Sequence, residues 1–458
     1  MPAALEKIDD YTFRFVFEKP RLQFLANLGL CERQITGCPK HYLSQFHPRF
    51  ASEETIERHM RVGQFHLWSQ LYMAKVDLLQ NSNAELPTLC PWIVEAGIPT
   101  NPARYVRNPY SWVVDSEGHQ LPYVDEVLFT LVGNPERMKL RQVLGHLSYG
   151  RMSLDTLELA KLEADKGHIR IGLGPPNGDL NAYTLAFNFL APDPFKARLF
   201  NDRRFRIAMS LQMPRQVINE VIDSGLTRPK QIGVSNPTHP WDNETLATAY
   251  LEYDLDEANR LLDAIGLLQR DAAGLRLDPE GEPITFNVMA IRHPRWVPAA
   301  NIVAEYLTKV GLRANVRSIP GAGERDRMRQ ADWDLWLYQD IMDYPHYWPD
   351  RMEAVRPSIR HSYKWMRWMG SDGAFGIEPP DVMKQCYRRW KSATNSTTEP
   401  ELTEHIQWRQ TTAAKELWAV GINSFPPVLW FSAVNVQNVP LDQRVFFKTA
   451  VWVDKRVR

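Results

Sequence analysis

The sequence predicts an α/β protein that is built from more than one domain. At 458 residues the chain is longer than one ordinary hydrophobic core supports, and this length favours two or three domains. Between Ile284 and Val316 the hydrophobic pattern changes from a strand to a helix and back to a strand. That spacing is typical of a βαβ crossover, in which the two strands pair in parallel through a right-handed connection.

The boundaries of the elements around this crossover follow from local capping and turn chemistry. Asp254 and Glu257 have the spacing of a helix capping box. The helix inside the crossover is expected to end at Gly311, because glycine readily adopts the left-handed conformation that closes a helix. Further upstream, Asp202 predicts the start of a helix and Pro214 predicts a break after it. This part of the chain is therefore predicted to be α/β.

Composition and motifs exclude several classes of function. The 54 basic and 54 acidic residues cancel, so the chain has no electrostatic footprint for nucleic acid. No apolar run is long enough to span a bilayer. The motifs of dinucleotide-binding, phosphate-binding and zinc-protease sites do not occur, and neither does a nucleophile elbow. His41, His47, His59 and His66 do not converge on a ligand set. We therefore expect no enzyme activity, no cofactor and no metal.

The four cysteines form neither a zinc motif nor a redox motif. Cys31 and Cys38 are close enough in sequence to form a disulfide across a loop if the protein lies in an oxidising compartment. The alternative is that both are free thiols, like Cys90 and Cys386, and the sequence alone favours this alternative.

The stretch from Arg107 to Val127 is the most specific part of the sequence. Asn108 and Pro109 predict a turn, and the alternation that follows them predicts a short strand. The sequence of this stretch, RNPYSWVVDSEGHQLPYVDEV, resembles a signature of the bacterial extracellular solute-binding proteins of the oligopeptide type (family 5), the periplasmic components of ABC importers. Further blocks that resemble this family are Pro39–Phe50, Leu185–Ile222 and Gly370–Tyr387.

This resemblance implies an α/β fold of the periplasmic-binding-protein type II kind, with two lobes joined by a hinge and an additional subdomain. It implies a partial subdomain of lobe I at residues 1–90, lobe I at 91–182, lobe II at 183–420 and a C-terminal return to lobe I at 421–458. The alternation from Tyr11 to Phe17 predicts a strand, and in the family a similar strand lies well inside the protein. Since Met1 does not begin a secretory signal, we expect the chain to be N-terminally truncated, with the opening of lobe I missing.

The candidate ligand-binding segment runs from Trp333 to Trp348, and Trp336 and Tyr338, on its strand, are predicted ligand contacts. The alternation of this strand places Trp333 on the opposite face from these two residues. Asp340 and Asp343 come after the strand, and ligands of open α/β sheets bind beyond the carboxyl ends of strands. In peptide-binding relatives an acidic residue at a comparable place holds the α-ammonium group of the ligand. The equal alternative is that each aspartate caps a turn.

A second aromatic group, Trp365 and Trp368, is a further candidate for ligand contact. These two rings could form a stacking platform for sugar rings or peptide side chains. Their helical spacing instead favours ordinary core packing, because amphipathic stripes are common in globular proteins.

The resemblance implies an ABC-transporter substrate-binding protein. It would capture a small solute, foremost an oligopeptide, by hinge closure and deliver it to the permease subunits of the importer. The expected protein is periplasmic and monomeric, with no nucleic-acid partner. An oligosaccharide or an opine is the alternative ligand. A glycan-processing enzyme or a non-functional truncated remnant is the alternative from another class.

Overall fold

The computed structural model describes residues 4–22, 24–25, 28, 37–77, 82–176, 181–232, 243–321, 323–339, 359–436, 439 and 441–442. The strands are β1 (Ala4–Lys7), β2 (Phe13–Val16), β3 (Trp92–Ala96), β4 (Ala103–Arg107), β5 (Glu126–Phe129), β6 (Tyr149–Met152), β7 (Ile169–Gly174), β8 (Asn181–Phe187), β9 (Thr285–Ile291), β10 (Arg313–Ile319), β11 (Leu335–Tyr338), β12 (Ala419–Ser424) and β13 (Val428–Ala433). The α-helices are α1 (Lys40–Leu43), α2 (Glu53–Gly63), α3 (Trp68–Val76), α4 (Pro135–Val143), α5 (Leu157–Asp165), α6 (Pro194–Asn201), α7 (Arg203–Leu211), α8 (Arg215–Asp223), α9 (Glu244–Ala247), α10 (Leu255–Ala264), α11 (Trp296–Leu307), α12 (Glu324–Gln330), α13 (Ile359–Gly370), α14 (Asp381–Thr394) and α15 (Glu399–Glu416).

The chain forms two compact units. Unit one contains Met1–Ala26 and Pro176–Pro427, and unit two contains Asn27–Pro175 and Val428–Arg458. None of the described helices is long and apolar enough to cross a membrane. The predicted division into lobes and a subdomain, with boundaries after residues 90, 182 and 420, stays a prediction.

Within the described residues, unit one is built on a five-stranded sheet with the order β10-β9-β11-β8-β12. β9, β10 and β11 are parallel, whereas β8 is antiparallel to its neighbours β11 and β12. Since α11 connects β9 to β10, the βαβ crossover predicted from the sequence is confirmed. The register places Phe286 beside Ala314 and Leu335 beside Val288.

The two faces of this sheet carry different side chains, because successive residues of a strand point in opposite directions. Leu335 and Leu337 face the main hydrophobic core of unit one, in which Phe187 is fully buried. Burial of each such side chain contributes roughly 2 kcal/mol to folding. Trp336 and Tyr338 face the other side and belong to a smaller buried cluster. The other buried members of that cluster are Ala186, Met289, Ile319, Met328 and Trp333.

Local chemistry sets the predicted helix boundaries of unit one, and these predictions are confirmed. The Asp202 carboxylate accepts a hydrogen bond from the Arg204 N–H at 2.9 Å. The Asp254 carboxylate accepts one from the Glu257 N–H, also at 2.9 Å. Pro214 separates α7 from α8. The sequence therefore decides where these helices begin without help from distant parts of the chain.

The described part of unit two contains two antiparallel three-stranded sheets, with the orders β6-β13-β7 and β3-β4-β5. The central strand of the first sheet, β13, comes from the late segment of the chain that returns to this unit. The helices α1, α2 and α3 pack around a separate apolar cluster that includes Leu43, Phe46 and Leu71. Ser52 caps α2 by accepting a hydrogen bond from the Thr55 N–H at 3.3 Å.

The stretch that begins at Asn108 is a hydrogen-bonded loop, and the short strand predicted there is wrong. Val114 and Gln120 form a single isolated bridge. The alternation has no partner strand, and the Asn108 side chain instead fixes the start of the loop by donating hydrogen bonds to the backbone carbonyl groups of Thr88 and Cys90. Tyr110 and Trp112 consequently project from the loop with 85% and 75% of their surface exposed.

Cys38, Cys90 and Cys386 are free thiols. Burial raises the pKa of Cys386 to about 12, so this thiol is unreactive at neutral pH. Cys31 lies outside the described residues, and a bridge between it and Cys38 stays a prediction.

Candidate ligand-binding edge

Several strands of unit one end together at one edge of its sheet. β9 ends at Ile291, β10 at Ile319, β11 at Tyr338 and β12 at Ser424, whereas the antiparallel β8 begins there at Asn181. Ligands of open α/β sheets bind in the crevice beyond the carboxyl ends of the strands. This part of unit one is termed the carboxyl edge below.

The end of β12 is fixed at this edge by the segment Arg228–Gln231. The Ser424 N–H donates to the Arg228 carbonyl at 2.9 Å. The Gly421 N–H donates to the Gln231 side-chain oxygen at 2.6 Å. A Cβ atom on Gly421 would lie 2.5 Å from the Lys230 carbonyl oxygen, so only glycine allows this close approach.

Trp336 and Tyr338 are buried next to the carboxyl edge, with 0% and 1% of their surface exposed. Trp336 contacts Trp333 edge-to-face, with 5.6 Å between the ring centroids. The prediction that Trp333 lies on the opposite face is therefore wrong, because Trp333 precedes β11 and does not follow its alternation. Within the described residues the Trp336 indole N–H has no hydrogen-bond partner. The roles of Trp336 and Tyr338 in ligand binding stay predictions.

Trp365 and Trp368 lie on α13 and pack in the main core cluster of unit one. Trp365 stacks on Phe189, with 5.5 Å between the ring centroids and 17° between the ring planes. The Lys384 ammonium group lies 5.7 Å from the centroid of the Trp368 ring. The structure therefore places these two tryptophans in a different cluster from Trp336, and ordinary packing accounts for their contacts. Their role as ligand contacts stays a prediction.

The two candidate aspartates, Asp340 and Asp343, lie outside the described residues. Their predicted role follows from their place directly after β11, whose last residue, Tyr338, is at the carboxyl edge. That role stays a prediction.

A buried polar network that the sequence did not reveal lies at the carboxyl edge. The Tyr183 hydroxyl donates to Asp223 Oδ1 at 2.9 Å and accepts a hydrogen bond from Arg295 Nε at 3.1 Å. Arg295 Nη2 donates to the same Asp223 oxygen at 2.6 Å. Tyr183 and Asp223 are fully buried, whereas the Arg295 side chain is 26% exposed. This set of residues is termed the Tyr183 network below.

Burial dominates the electrostatics of the Tyr183 network. It raises the pKa of Asp223, and the positive charge of Arg295 opposes this shift only in part. Burial likewise raises the pKa of Tyr183 well above its usual range. The Tyr183 hydroxyl therefore stays protonated at neutral pH and donates a hydrogen bond to the Asp223 carboxylate.

Arg295 belongs to a turn that follows β9. The Arg292 N–H donates to the Ile319 carbonyl at 2.7 Å and so joins the ends of β9 and β10. The His293 ring stacks on Trp296 with 4.4 Å between the centroids, and its Nδ1 accepts a hydrogen bond from the Arg295 N–H at 3.2 Å. Burial, and then the charge of Arg295, lower the pKa of His293. An uncharged His293 ring is what this acceptor role requires.

The described residues provide no group of three or more His, Cys, Asp or Glu side chains that could hold a metal ion. Two cavities lie in unit two rather than at the carboxyl edge. One of about 650 Å³ is lined in part by Arg61 and His66, and one of about 400 Å³ is lined in part by Arg137 and Arg141. Neither cavity includes a candidate ligand-binding residue.

Comparison with known families decides the classification of the chain. Residues 1–353 match the model of bacterial extracellular solute-binding proteins, family 5 middle. The chain belongs to this family. The resemblance that the stretch from Arg107 to Val127 indicated is thereby confirmed. Proteins of this family are transport-associated binding proteins.

Of two curated relatives of the chain, one has a ligand in its name and the other has none. A probable ABC transporter-binding protein of Deinococcus radiodurans is 24% identical over 329 residues, which make up 69% of this chain and 50% of the relative. A periplasmic alpha-galactoside-binding protein of Rhizobium meliloti is 23% identical over 461 residues, with 96% of this chain and 62% of the relative covered. The chain thus spans between half and two thirds of the length of these relatives.

Two solved structures resemble the chain over nearly its whole length. The oligopeptide-binding protein OppA is 28% identical with a TM-score of 0.69, and the match covers 98% of this chain and 73% of that protein. The periplasmic binding protein MelB of Agrobacterium fabrum, in complex with stachyose, is 19% identical with a TM-score of 0.68, with coverages of 98% and 66%. The predicted α/β fold of the periplasmic-binding-protein type II kind is confirmed by these structures.

Proposed function

We propose that the chain is the substrate-binding component of an ABC importer and that its ligand is an oligopeptide. The 28% identity to an oligopeptide-binding protein over 98% of the chain carries this proposal. Capture requires only that ligand contacts favour a closed arrangement of the protein over an open one. The ligand then passes to permease subunits whose ATPase is a separate chain. The proposed location is the periplasm, and the proposed state is a monomer that binds no nucleic acid.

The chemistry near the carboxyl edge supports a peptide ligand. The stacked His293 and Trp296 rings offer an apolar surface, and the N–H groups of Arg295 can donate hydrogen bonds to the carbonyl oxygens of a peptide. A charged peptide terminus that leaves water for a closed site costs several kcal/mol unless it is paired. Asp340 and Asp343 are the proposed partners of the ligand α-ammonium group.

An oligosaccharide is the second candidate ligand. One curated relative is named an alpha-galactoside-binding protein, and one similar structure contains stachyose. An uncharged sugar needs aromatic faces and hydrogen-bond partners, and it does not need a carboxylate to pair with an ammonium group. The two candidates therefore differ in their dependence on the N-terminal charge of the ligand.

Calorimetric titration of the 458-residue chain distinguishes these ligands. The probes are a tetrapeptide library with free N-termini, the same library with acetylated N-termini, and stachyose. We expect binding of the free peptides and at least about tenfold weaker binding of the acetylated ones, because acetylation removes the charge that the aspartates pair with. Binding of stachyose alone would instead indicate an oligosaccharide ligand. Binding of none of the probes would contradict both candidate ligands.

Replacement of Asp340 and Asp343 together by alanine is expected to abolish binding of the free peptides. Asp256→Ala on the first turn of α10 is the control, since it removes an acidic residue of the same unit that is distant in sequence from Asp340 and Asp343. An unchanged calorimetric affinity of the double variant would reject the proposed role of the two aspartates.

The same samples test the alternatives from other classes. A binding protein returns its ligand chemically unaltered, whereas a glycan-processing enzyme would convert an oligosaccharide over time. Mass spectrometry of recovered ligand separates the two. A non-functional remnant is distinguished by thermal unfolding, because a ligand that binds the native state raises the melting temperature.

A further inference from the structure

We propose that Tyr183 and Asp223 are positioning residues, which hold Arg295 and the Arg292–Trp296 turn in the arrangement that receives the ligand at the carboxyl edge. The claim that Arg295 contacts a ligand rests on the proposed function. The claim that Tyr183 and Asp223 fix the turn does not rest on it and can be measured on the ligand-free protein.

The three members of the Tyr183 network come from three different elements. Tyr183 lies on β8, Asp223 is the last residue of α8, and Arg295 immediately precedes α11. The strand order is β9-β11-β8, and the last residue of β11, Tyr338, pairs with Thr184, so the contact from Arg295 to Tyr183 lies next to the end of β11. The network therefore ties together the elements on both sides of the strand that leads to the candidate aspartates.

The hydrogen bonds of the network leave little freedom to its central groups. The Tyr183 hydroxyl uses its hydrogen for Asp223 and accepts from Arg295, and the Arg295 guanidinium also lies over the Tyr183 ring, 5.3 Å from its centroid. Asp223 Oδ1 accepts hydrogen bonds from both partners, and its Oδ2 lies 3.4 Å from the oxygen of the Thr227 hydroxyl. A planar guanidinium that is held on two sides has one orientation.

The position of Asp223 is itself fixed by a closed turn. Ser224 and Gly225 have left-handed conformations with φ of 55° and 75°, which end α8 directly after Asp223. The Asn219 side chain then accepts hydrogen bonds from both the N–H and the hydroxyl of Thr227, at 2.9 Å and 2.7 Å. The carboxylate that orients Arg295 is thus part of a rigid support rather than of a free loop.

The arrangement differs from a bond that only stabilises the fold, because one member reaches solvent. The Arg295 side chain is 26% exposed at the carboxyl edge, while Tyr183 and Asp223 are buried beneath it. The buried pair therefore presents an accessible donor group at a strand end, which is where open α/β sheets bind their ligands.

The test compares Tyr183→Phe with Tyr250→Phe. Each variant removes one tyrosine hydroxyl that accepts a hydrogen bond from an arginine and keeps the ring. The Tyr250 hydroxyl accepts from Arg203 Nη2 at 2.8 Å, and Arg203 Nε donates to the Lys415 carbonyl, shortly before β12 begins. The control pair therefore lies toward the opposite end of the sheet.

The first measurement is amide hydrogen exchange of the Arg292–Trp296 turn in the ligand-free protein. We expect Tyr183→Phe to increase exchange at Arg295 and Trp296 about tenfold and Tyr250→Phe to leave it unchanged. Asp223→Asn, which keeps the shape of the side chain, should act like Tyr183→Phe. Arg295→Lys should retain only part of the wild-type protection of the turn against exchange. Equal exchange in Tyr183→Phe and Tyr250→Phe would overturn the proposal.

The second measurement is the affinity for the peptide library at a temperature at which all variants are folded. We expect about tenfold weaker binding by Tyr183→Phe and unchanged binding by Tyr250→Phe. If the wild-type chain binds none of the probes, the proposed function fails, and hydrogen exchange alone decides the fixing of the turn. If the wild type binds and both variants bind equally well, Tyr183 does not position a ligand contact and this proposal is overturned.

Discussion

Two buried aspartates lie at opposite ends of the unit-one sheet, and their partners differ. Asp334 directly precedes β11, and its carboxylate accepts hydrogen bonds from Lys196 Nζ at 2.9 Å and from the Asn287 N–H at 2.8 Å. Asp223 lies at the carboxyl edge, where its partners are Tyr183 and Arg295. Both carboxylates are nearly inaccessible, with 6% and 0% of the residue surface exposed.

The two carboxylates differ in the kind of group that donates hydrogen bonds to them. Asp334 binds a backbone N–H of β9 and a lysine of α6, so it joins regular elements at the start of two strands. Asp223 binds side chains, one of which reaches solvent from a turn. The same buried chemistry therefore secures the sheet at one end and, in our proposal, orients a ligand-contacting turn at the other end.

The largest expected effect on stability is at the Asp334 site. Asp334→Ala removes the partner of a mostly buried lysine and of a strand N–H, and should lower the free energy of unfolding by about 3 kcal/mol. Urea unfolding measures this loss. Peptide affinity of the folded fraction should stay at the wild-type value, and a weakened affinity would show that the two ends of the sheet are not separate in function.

The next largest effect is expected at Gly421, near the carboxyl edge. The Cβ of Gly421→Ala would be forced against the Lys230 carbonyl and the Gln231 backbone, which should cost about 2 kcal/mol of folding free energy. Gly370→Ala is the matched control, since, apart from the chain neighbours of Gly370 and the backbone of its own helix, none of the described residues has an atom within 4 Å of the added Cβ. In contrast to Asp334→Ala, this variant should also weaken peptide binding. Loss of stability without loss of affinity would show that the end of β12 does not shape the site.

The sequence predicted those features that depend on neighbours along the chain. The caps at Asp202 and Asp254 and the βαβ crossover follow from spacings of a few residues, and each is present. The strand predicted after Asn108 is absent, because alternation alone does not supply a pairing strand. The predicted face of Trp333 is wrong for a related reason, since Trp333 lies outside the regular part of β11.

The Tyr183 network could not be predicted because its members are far apart in the sequence. Tyr183 and Asp223 are separated by 40 residues, and Tyr183 and Arg295 by 112. Only the strand order brings them together, and that order does not follow from the hydrophobic pattern. The one available signal was the pair of arginines and the histidine directly after a predicted strand, at Arg292, His293 and Arg295.

A smaller effect is expected in the pH dependence of stability. Burial raises the pKa of Asp223 in the folded protein above its usual value of 3.8, so the folded state holds this proton more tightly than the unfolded chain. The corresponding stability is complete below the usual pKa and is lost as the pH rises through the raised pKa. Asp223→Asn should therefore lose less stability than the wild type as the pH rises from the usual value of 3.8 through the raised pKa. Urea unfolding across this range measures the difference, and parallel curves would contradict it.

The smallest effect is expected for an exposed ion pair. This pair is a reference against which the stability contributions of the two buried aspartates can be compared. Glu257 and Arg260 on α10 are joined by hydrogen bonds of 2.6 Å, yet both side chains are well exposed to solvent. Water and dissolved salt screen such pairs, and holding two long side chains in one geometry costs conformational entropy. Glu257→Gln should therefore leave the melting temperature and the peptide affinity unchanged. Because the bond lengths at this pair match the 2.6 Å bond from Arg295 to Asp223, a measurable loss here would mean that hydrogen-bond distance, rather than burial, determines what each carboxylate contributes.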